Sequence, residues 1–360
     1  MKNLLIILLL CAGLSVHAKK PLTADPKASK ETVKLYQRLQ KLQQKGTMFG
    51  HQDDLPYGND WYDQPGRSDV KEVCGDYPAI FGWELGHLEL GNAYNLDSVN
   101  FEKVIVWIRE MNRKGAIQTI SWHLRNPLTG GTAWDVSNKR TVASILPGGP
   151  KNELYRQYMD KLATFLLSLK DDKGHYIPVI FRPFHEHTGS WFWWGKDLCT
   201  PEEYKSLWRY TATYLRDTKN IHHLLYTYST GTVNSVEDYM ERYPGDDLID
   251  MVAFDAYDYG GNFAASLQKN CEIVTTVAAQ KNKIPAVSET GANLVKNPEW
   301  WTRTLLEVIR PFHMSYALVW RNAFNNKKEI PYAPYKGSPD EQDFLKFYND
   351  PKTLFLKDIQ

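Results

Sequence analysis

The sequence of 360 residues predicts an α/β protein with a single (β/α)8 TIM barrel domain. Short apolar segments alternate with longer amphipathic segments along the chain, which is the pattern of consecutive parallel βα units. Eight short segments are found, and nearly every one ends in His, Glu, Asp, Trp or Tyr. In barrels the carboxyl ends of the strands form the active rim. A doubly wound open sheet shares the alternation and is the alternative fold.

The first 18 residues predict a signal peptide. Lys2 precedes an apolar stretch over residues 4–16, and Ala18 supplies the small residue of a cleavage site. This stretch is shorter than the roughly 20 residues that span a bilayer. We therefore predict an exported protein without a membrane span, with the periplasm as its destination. A secreted or a lipid-anchored form stays open, the latter because of Cys11, although no small residue precedes it.

Residues 19–30, with two prolines and several lysines, predict a linker, and Ser29 is a typical helix N-cap. No second linker or repeat follows, so residues 31–360 are predicted to form one catalytic domain. The predicted strands are residues 48–52, 79–84, 117–122, 177–185, 224–228, 251–257, 285–289 and 315–321. The helix-like segments include residues 101–114, 154–169, 201–216, 263–280 and 298–309.

Charge and composition argue against some classes of partner. The chain has 43 Lys and Arg against 42 Asp and Glu, so no excess of positive charge favours a nucleic acid. An uncharged polymer fits this balance, and the flat rings of 12 Trp and 21 Tyr suit sugars. Cys74, Cys199 and Cys271 follow the signal peptide, and this odd number argues against a disulfide-stapled fold. We expect a monomer.

The densest group of reactive side chains follows the fourth predicted strand. Arg182, His185 and Glu186 end this strand, and a loop with four aromatic residues at 191–194 comes next. Such a loop is unfavourable in water unless it packs or binds a flat ligand. One interpretation is a sugar site with Glu186 as a reactive group. The other is a loop that plugs the barrel, with Glu186 paired to Arg182.

A second carboxylate, Glu289, ends the seventh predicted strand. Because the fourth and seventh strands end on the same rim, Glu186 and Glu289 are expected to face each other across the barrel mouth. Cleavage of a glycosidic bond needs two such carboxylic groups, one protonated to assist the leaving oxygen and one ionised at the anomeric carbon. The pair predicts a glycoside hydrolase.

Metal chemistry is a weaker interpretation of the same residues. His185 and His187 share a strand face, but no Cys or Asp at suitable spacing completes a zinc site, and the pair His222 and His223 is expected to be structural. We predict no metal and no cofactor. Glu84, which ends the second strand, is either a substrate contact or part of a buried ion pair.

Several segments together resemble glycoside hydrolase family 26, and the similarity extends along the predicted mature chain. The matching segments are FGHQ at 49–52, SWH at 121–123, RPFHE at 182–186 with Gly189, WFWWG at 191–195, ETG at 289–291 and VWRNA at 319–323. One departure is His187 with Thr188, which stand where many members have Met and Asn.

The resemblance implies a retaining double displacement. Glu186 would be the acid/base and Glu289 the nucleophile, with carboxyl groups about 5–5.5 Å apart. Tyr257 would hold the nucleophile by a hydrogen bond, which favours its ionised form. His185 would bind the sugar near its 2-hydroxyl. Burial by the aromatic loop and the charge of Glu289 should raise the pKa of Glu186.

The same resemblance implies further substrate-binding residues. Trp320 would form the floor of the −1 subsite, where His123 also lies, and Trp191 would stack on the leaving-group side. Arg321 and Asn322 would reach toward the −2 sugar. The implied substrate is the β-1,4-linked chain of mannan, glucomannan or galactomannan, as for a mannan endo-1,4-β-mannosidase. A β-1,3-xylanase, a mixed-linkage β-glucanase and a non-catalytic carbohydrate-binding protein remain the alternatives.

Overall fold

The computed structural model describes residues 22–292, 297–325 and 331–360. Eight parallel strands form the barrel predicted from the sequence. They are β1 Thr47–Gln52, β2 Ile80–Glu84, β3 Ile117–Trp122, β4 Val179–Pro183, β5 Leu224–Thr230, β6 Met251–Asp258, β7 Ile284–Ala292 and β8 Tyr316–Val319. Each predicted strand overlaps one of these, so the prediction of a (β/α)8 barrel is confirmed.

The barrel closes through its first and last strands. Met48 pairs with Tyr316 and His51 with Val319, in parallel register. An open doubly wound sheet has no such pair, so that alternative is wrong. Nearly all strand residues are buried on both faces, because side chains fill the barrel and helices cover its outside.

Helices follow the strands and cover the outer wall. They are α1 Lys30–Leu42, α2 Asp69–Cys74, α3 Phe101–Arg113, α4 Thr141–Ile145, α5 Asn152–Ser168, α6 Pro201–Thr213, α7 Val236–Met240, α8 Phe263–Lys281, α9 Glu307–Ile309 and α10 Glu341–Tyr348. Ser29 caps α1, as predicted, and Thr200 and Glu203 form a capping box at α6. The predicted helix 298–309 is mostly a π-helix, Trp300–Leu306, ahead of the short α9.

The fourth strand is shorter than predicted, and the difference positions Glu186. The strand ends at Pro183 rather than residue 185. Phe184 and Glu186 then adopt φ angles of 52° and 53°. These left-handed conformations break the extended backbone and are uncommon for residues other than glycine. Glu186 therefore lies on a turn above the rim, where strained residues often serve function.

Part of the predicted linker lies against the amino-terminal face of the barrel. Ala24 N donates a hydrogen bond of 2.7 Å to Asp250 Oδ1, and Asp25 Oδ2 lies 2.7 Å from His222 Nδ1. The predicted signal peptide, residues 1–18, lies outside the described residues. Among the helices that the structure describes, none is both long and apolar enough to cross a membrane.

Two further groups have contacts typical of structural residues: the three cysteines, and the pair His222 and His223, which are consecutive in the chain. Cys74, Cys199 and Cys271 are free thiols in the described structure. His223 is buried, and its Nε2 lies 3.0 Å from the carbonyl oxygen of Leu166. His222 and His223 thus contact different partners in the protein.

Candidate active site

A cleft of about 560 Å³ opens at the carboxyl ends of the strands. It contains seven of the nine site residues that the sequence predicts, with Arg321 and Asn322 outside its lining. The lining consists of His123, Trp134, His185, Glu186, Trp191, Phe192, Gly231, Thr232, Asp255, Ala256, Tyr257, Tyr259, Glu289, Trp320 and Tyr332. The polar strand ends therefore converge on one rim, as the barrel topology requires.

Three carboxylates meet at the base of the cleft. One oxygen from each of Glu186, Asp255 and Glu289 lies within 4.8 Å of the other two. Glu289 accepts a hydrogen bond of 2.7 Å from the hydroxyl of Tyr257 at Oε2, and Arg182 donates to its Oε1. The guanidinium thus balances the negative charge of the buried Glu289 carboxylate.

Asp255 was not singled out from the sequence, although it is central to this network. Its Oδ2 accepts a hydrogen bond of 3.0 Å from Arg182, and its Oδ1 accepts from Ser229 and Ser288 at 3.1 and 2.6 Å. Burial raises the pKa of Asp255 to about 7, against the lowering effect of Arg182. Arg182 pairs with Asp255 and Glu289, which is not the Arg182 to Glu186 pair of the plugged-barrel alternative.

Glu186 is surrounded by groups that favour its protonated form. Burial, followed by the charges of Asp255 and Glu289, holds the pKa of Glu186 well above its usual range. Trp191 Nε1 donates to Glu186 Oε2 at 2.7 Å and opposes this shift. Gly189 permits this contact, because a Cβ there would lie 2.1 Å from the Trp191 ring.

Two histidines connect the cleft to the buried Glu84. His123 Nδ1 lies 2.7 Å from Glu84 Oε2, and His123 Nε2 lies 3.0 Å from His185 Nε2. Burial lowers the pKa of His123, but the charge of Glu84 outweighs this effect and raises it. Burial and the charge of Arg182 hold the pKa of His185 well below its usual range. These directions assign the proton between the rings to His123. Glu84 is therefore part of a buried ion pair.

Aromatic rings form the walls of the cleft. Trp134 stacks on His123 with ring centroids 5.3 Å apart, and 49% of its surface is exposed. Tyr259 on the opposite loop is 66% exposed, and Trp320 forms part of the lining. Neither Trp134 nor Tyr259 was predicted, because an exposed aromatic residue in a loop has no distinguishing sequence signal. Their free faces suit contact with sugar rings.

Arg321 and Asn322 lie differently from the prediction. Arg321 Nη1 forms an ion pair of 2.9 Å with Asp97 Oδ1 outside the cleft lining. The prediction for Asn322 is wrong, because its side chain is buried and bonded within the protein. Its Nδ2 donates to Asp69 Oδ2 at 2.8 Å and to the carbonyl oxygen of Ala333, and its Oδ1 accepts from the backbone N–H of Ala333. Asn322 thus fixes the loop after β8 instead of reaching a sugar.

Within the described residues, Glu186, Asp255 and Glu289 form the group with oxygens close enough to share a metal ion. Arg182 already supplies a positive charge to two of the three. The donor set therefore suits paired acid and base chemistry at least as well as metal binding.

His187, which departs from the family pattern, is completely buried below the cleft. Its ring lies between Tyr204 and Tyr228, at centroid distances of 4.3 and 4.8 Å, and neither ring nitrogen has a hydrogen-bond partner among the described residues. Burial, followed by the charge of Arg242, holds the pKa of His187 well below its usual range. The imidazole is therefore neutral in the folded protein.

We expect the substitution His187→Met to make the protein more resistant to acid. The unfolded chain takes up a proton on His187 below about pH 6.5, whereas the folded protein does not, so stability falls as the pH decreases. Methionine removes this loss, which is about 2 kcal/mol between pH 7 and pH 5. Unfolding temperatures measured at both pH values test this, and an unchanged difference between them would contradict it.

Known proteins are similar to the region of the chain that contains these site residues. The profile of Glycosyl hydrolase family 26 matches residues 24–329. A mannan endo-1,4-beta-mannosidase of Bifidobacterium adolescentis is 33% identical over 359 residues, covering 92% of this chain and 35% of that protein. This chain thus spans about a third of that relative's length. A mannan endo-1,4-beta-mannosidase of Bacillus subtilis is 28% identical, covering 71% of this chain and 72% of that protein.

A solved structure agrees with these matches over nearly the whole barrel. A family 26 beta-mannanase of Bacteroides ovatus superposes with a TM-score of 0.89 at 46% identity, covering 91% of this chain and 96% of that chain. The fold and the family profile agree. The chain belongs to glycosyl hydrolase family 26.

Proposed function

We propose that this protein is a retaining hydrolase of β-1,4-mannosidic bonds in mannan, glucomannan or galactomannan. The observation that carries the proposal is the close approach of Glu186 and Glu289, whose nearest oxygens lie within 4.8 Å. Retaining enzymes place their two carboxyl groups about 5–5.5 Å apart, whereas inverting enzymes need about 6.5–9.5 Å to admit a water. This spacing supports double displacement.

In the first step Glu289 Oε attacks the anomeric carbon of the sugar above it. Arg182 and Tyr257 donate to this carboxylate, so they hold it in position for attack. Glu186, kept protonated by its surroundings, gives its proton to the oxygen of the departing sugar. The glycosidic bond breaks, and a covalent glycosyl ester forms on Glu289.

In the second step a water molecule replaces the departed sugar. Glu186, now ionised, removes a proton from this water, which attacks the anomeric carbon and breaks the ester bond to Glu289. The product keeps the starting configuration because two inversions have occurred. Glu186 is protonated again and ready for the next cycle.

The proposed specificity for mannose is supported by the relatives and not by the distance between Glu186 and Glu289. Two curated relatives are named as mannan endo-1,4-beta-mannosidases, and the Bacteroides ovatus structure is described as a beta-mannanase. Aromatic rings in the cleft lining offer stacking contacts that a neutral polysaccharide can use without any charged group; they belong to Trp134, Tyr259 and Trp320. We therefore propose endo-cleavage of mannan.

Reducing-sugar release from unsubstituted mannan and locust-bean gum tests the substrate. We expect release from both and little from lichenan or β-1,3-xylan. Chromatography of the mannan products then separates endo-cleavage, with a range of oligosaccharides, from the release of one short product. Release from lichenan or β-1,3-xylan alone would reject the mannan proposal in favour of a glucanase or a xylanase.

We also propose export through a signal peptide at residues 1–18, with a monomeric catalytic domain at residues 31–360 in the periplasm and no nucleic-acid partner. The apolar stretch at 4–16 and the balanced charge support this. Amino-terminal sequencing of the exported protein should begin at Lys19, and light scattering should give the mass of one chain. An uncleaved chain would contradict the export proposal.

The pH profile should respond in opposite directions to two substitutions near Glu186. The Trp191 hydrogen bond lowers the pKa of Glu186, so Trp191→Phe should raise it and keep the acid protonated at higher pH. The charge of Asp255 raises that pKa, so Asp255→Asn should lower it. We expect the alkaline limb of kcat/KM to move up and down respectively, by roughly 0.5–1 pH unit. Shifts in the same direction would contradict this account.

A further inference from the structure

A second cavity, of about 160 Å³, lies beside the cleft, between the loops that follow β1 and β2 and the outer face of α3. Three aromatic residues line it, Tyr62, Tyr94 and Trp107. Tyr62 is 38% exposed and Tyr94 is 52% exposed. Exposed rings beside a concave surface are a common feature of ligand sites. The steps proposed above for hydrolysis do not involve this cavity.

Contacts within the protein hold the Tyr62 ring and the loop that carries Tyr94 at this flank cavity. The hydroxyl of Tyr62 donates to the carbonyl oxygen of Ser98 at 2.6 Å, which joins the two loops. Tyr94 and Asn100 form an antiparallel bridge, and Asn95 Nδ2 donates to the carbonyl oxygen of Glu84 at 3.0 Å. A ligand would therefore meet a fixed Tyr62 ring and a Tyr94 backbone that is already ordered, which limits the conformational entropy lost on binding.

The polar groups of the cavity indicate a neutral ligand. Lys103 and Asp63 form an ion pair at its edge, so their charges cancel. Both side chains stay partly exposed and can exchange hydrogen bonds with hydroxyl groups. Flat rings combined with a neutral polar edge suit a sugar better than an anion or a cation.

A row of side chains connects the flank cavity to the catalytic cleft. Arg321, which follows Trp320 of the cleft, lies over the ring of Tyr57 at 6.0 Å. The ring of Phe324 lies 5.2 Å from Tyr57 and 4.6 Å from Tyr62. Tyr57 is buried, so a polysaccharide that leaves the cleft would extend over the partly exposed Arg321 and Phe324 to reach Tyr62 and Tyr94.

We propose that the flank cavity binds a hexose unit of the same uncharged polysaccharide, outside the catalytic cleft, by stacking on Tyr94. This inference rests on the proposed function for the nature of the polymer. The site adds affinity for long chains and contributes nothing to short oligosaccharides that fill only the cleft.

The test compares Tyr94→Ala, Tyr94→Phe and Val106→Ala in the full-length protein. Val106 is an exposed residue of α3 outside the cavity and serves as the control. Affinity electrophoresis in gels with mannan, lichenan or β-1,3-xylan gives the dissociation constants, and mannotriose hydrolysis gives the activity of the cleft alone. We expect Tyr94→Ala to weaken binding to the preferred polymer about fivefold, which corresponds to one stacked ring.

We expect Tyr94→Phe and Val106→Ala to bind like the unchanged protein, because stacking needs the ring and not the hydroxyl. Mannotriose hydrolysis should stay the same in all three variants. Unchanged polymer binding by Tyr94→Ala, or an equal loss in Tyr94→Phe, would overturn the flank site. If the unchanged protein binds lichenan or xylan instead of mannan through Tyr94, the proposed substrate fails while the flank site stands.

Discussion

The substitution Glu289→Ala is expected to lower kcat/KM on mannan by at least about 10⁴-fold. The variant loses the oxygen that attacks the anomeric carbon, and no neighbouring group can take its place, because Asp255 is already bonded to Arg182, Ser229 and Ser288. Loss of a nucleophile removes the whole covalent route, so the residual rate comes from substrate positioning alone. Initial rates of reducing-sugar release measure the effect.

Two controls separate lost chemistry from lost structure. Glu289→Gln keeps the shape of the side chain and should be as inactive as the alanine variant. Glu89→Gln changes another buried glutamate, whose oxygens accept from Trp122 and from the backbone of Arg125, and should keep activity within a few-fold. Azide should restore part of the turnover of Glu289→Ala, with a glycosyl azide of inverted configuration as product. Activity of Glu289→Ala within tenfold of the unchanged protein would remove Glu289 as the nucleophile.

Much of the fold could be predicted because apolar residues recur with a different period in strands than in helices. The apolar segments fix the strands, and the polar residue at the end of each strand indicates the rim. Glu186 and Glu289 lie 103 positions apart in the chain, yet the sequence predicts that they are neighbours, and their oxygens lie within 4.8 Å of each other. Counting strands was enough, since the carboxyl ends of all parallel strands in a barrel meet at one face.

The remaining features depend on contacts between distant residues. Asp255 looks like any acid near a strand end until Arg182, 73 positions away, is seen to bind it. Asn322 lies two positions after Trp320 in the chain, yet its amide binds Asp69, 253 positions away. The end of β4 at Pro183 depends on two left-handed residues, which no local propensity favours. Side-chain direction and backbone strain of this kind come from tertiary packing.

The substitution Glu186→Ala should separate the two steps of the reaction. Natural mannan has a poor leaving group that needs protonation, so its turnover should fall by about 10²–10⁴-fold. An aryl glycoside with an activated leaving group needs little protonation, and its glycosylation step should be nearly unaffected. Hydrolysis of the ester on Glu289 becomes limiting, because the base that activates water is also gone. A burst of released phenol followed by slow turnover is the expected time course.

Azide provides the decisive measurement for this variant. A small anion that needs no base should attack the ester on Glu289, restore turnover of the aryl glycoside and give a glycosyl azide of retained configuration. This outcome is the opposite of that expected for Glu289→Ala, so one reagent assigns both glutamates by the stereochemistry of its product. The control Trp191→Phe removes only the hydrogen bond to Glu186 and should show no azide effect. An azide product of inverted configuration from Glu186→Ala would exchange the two roles.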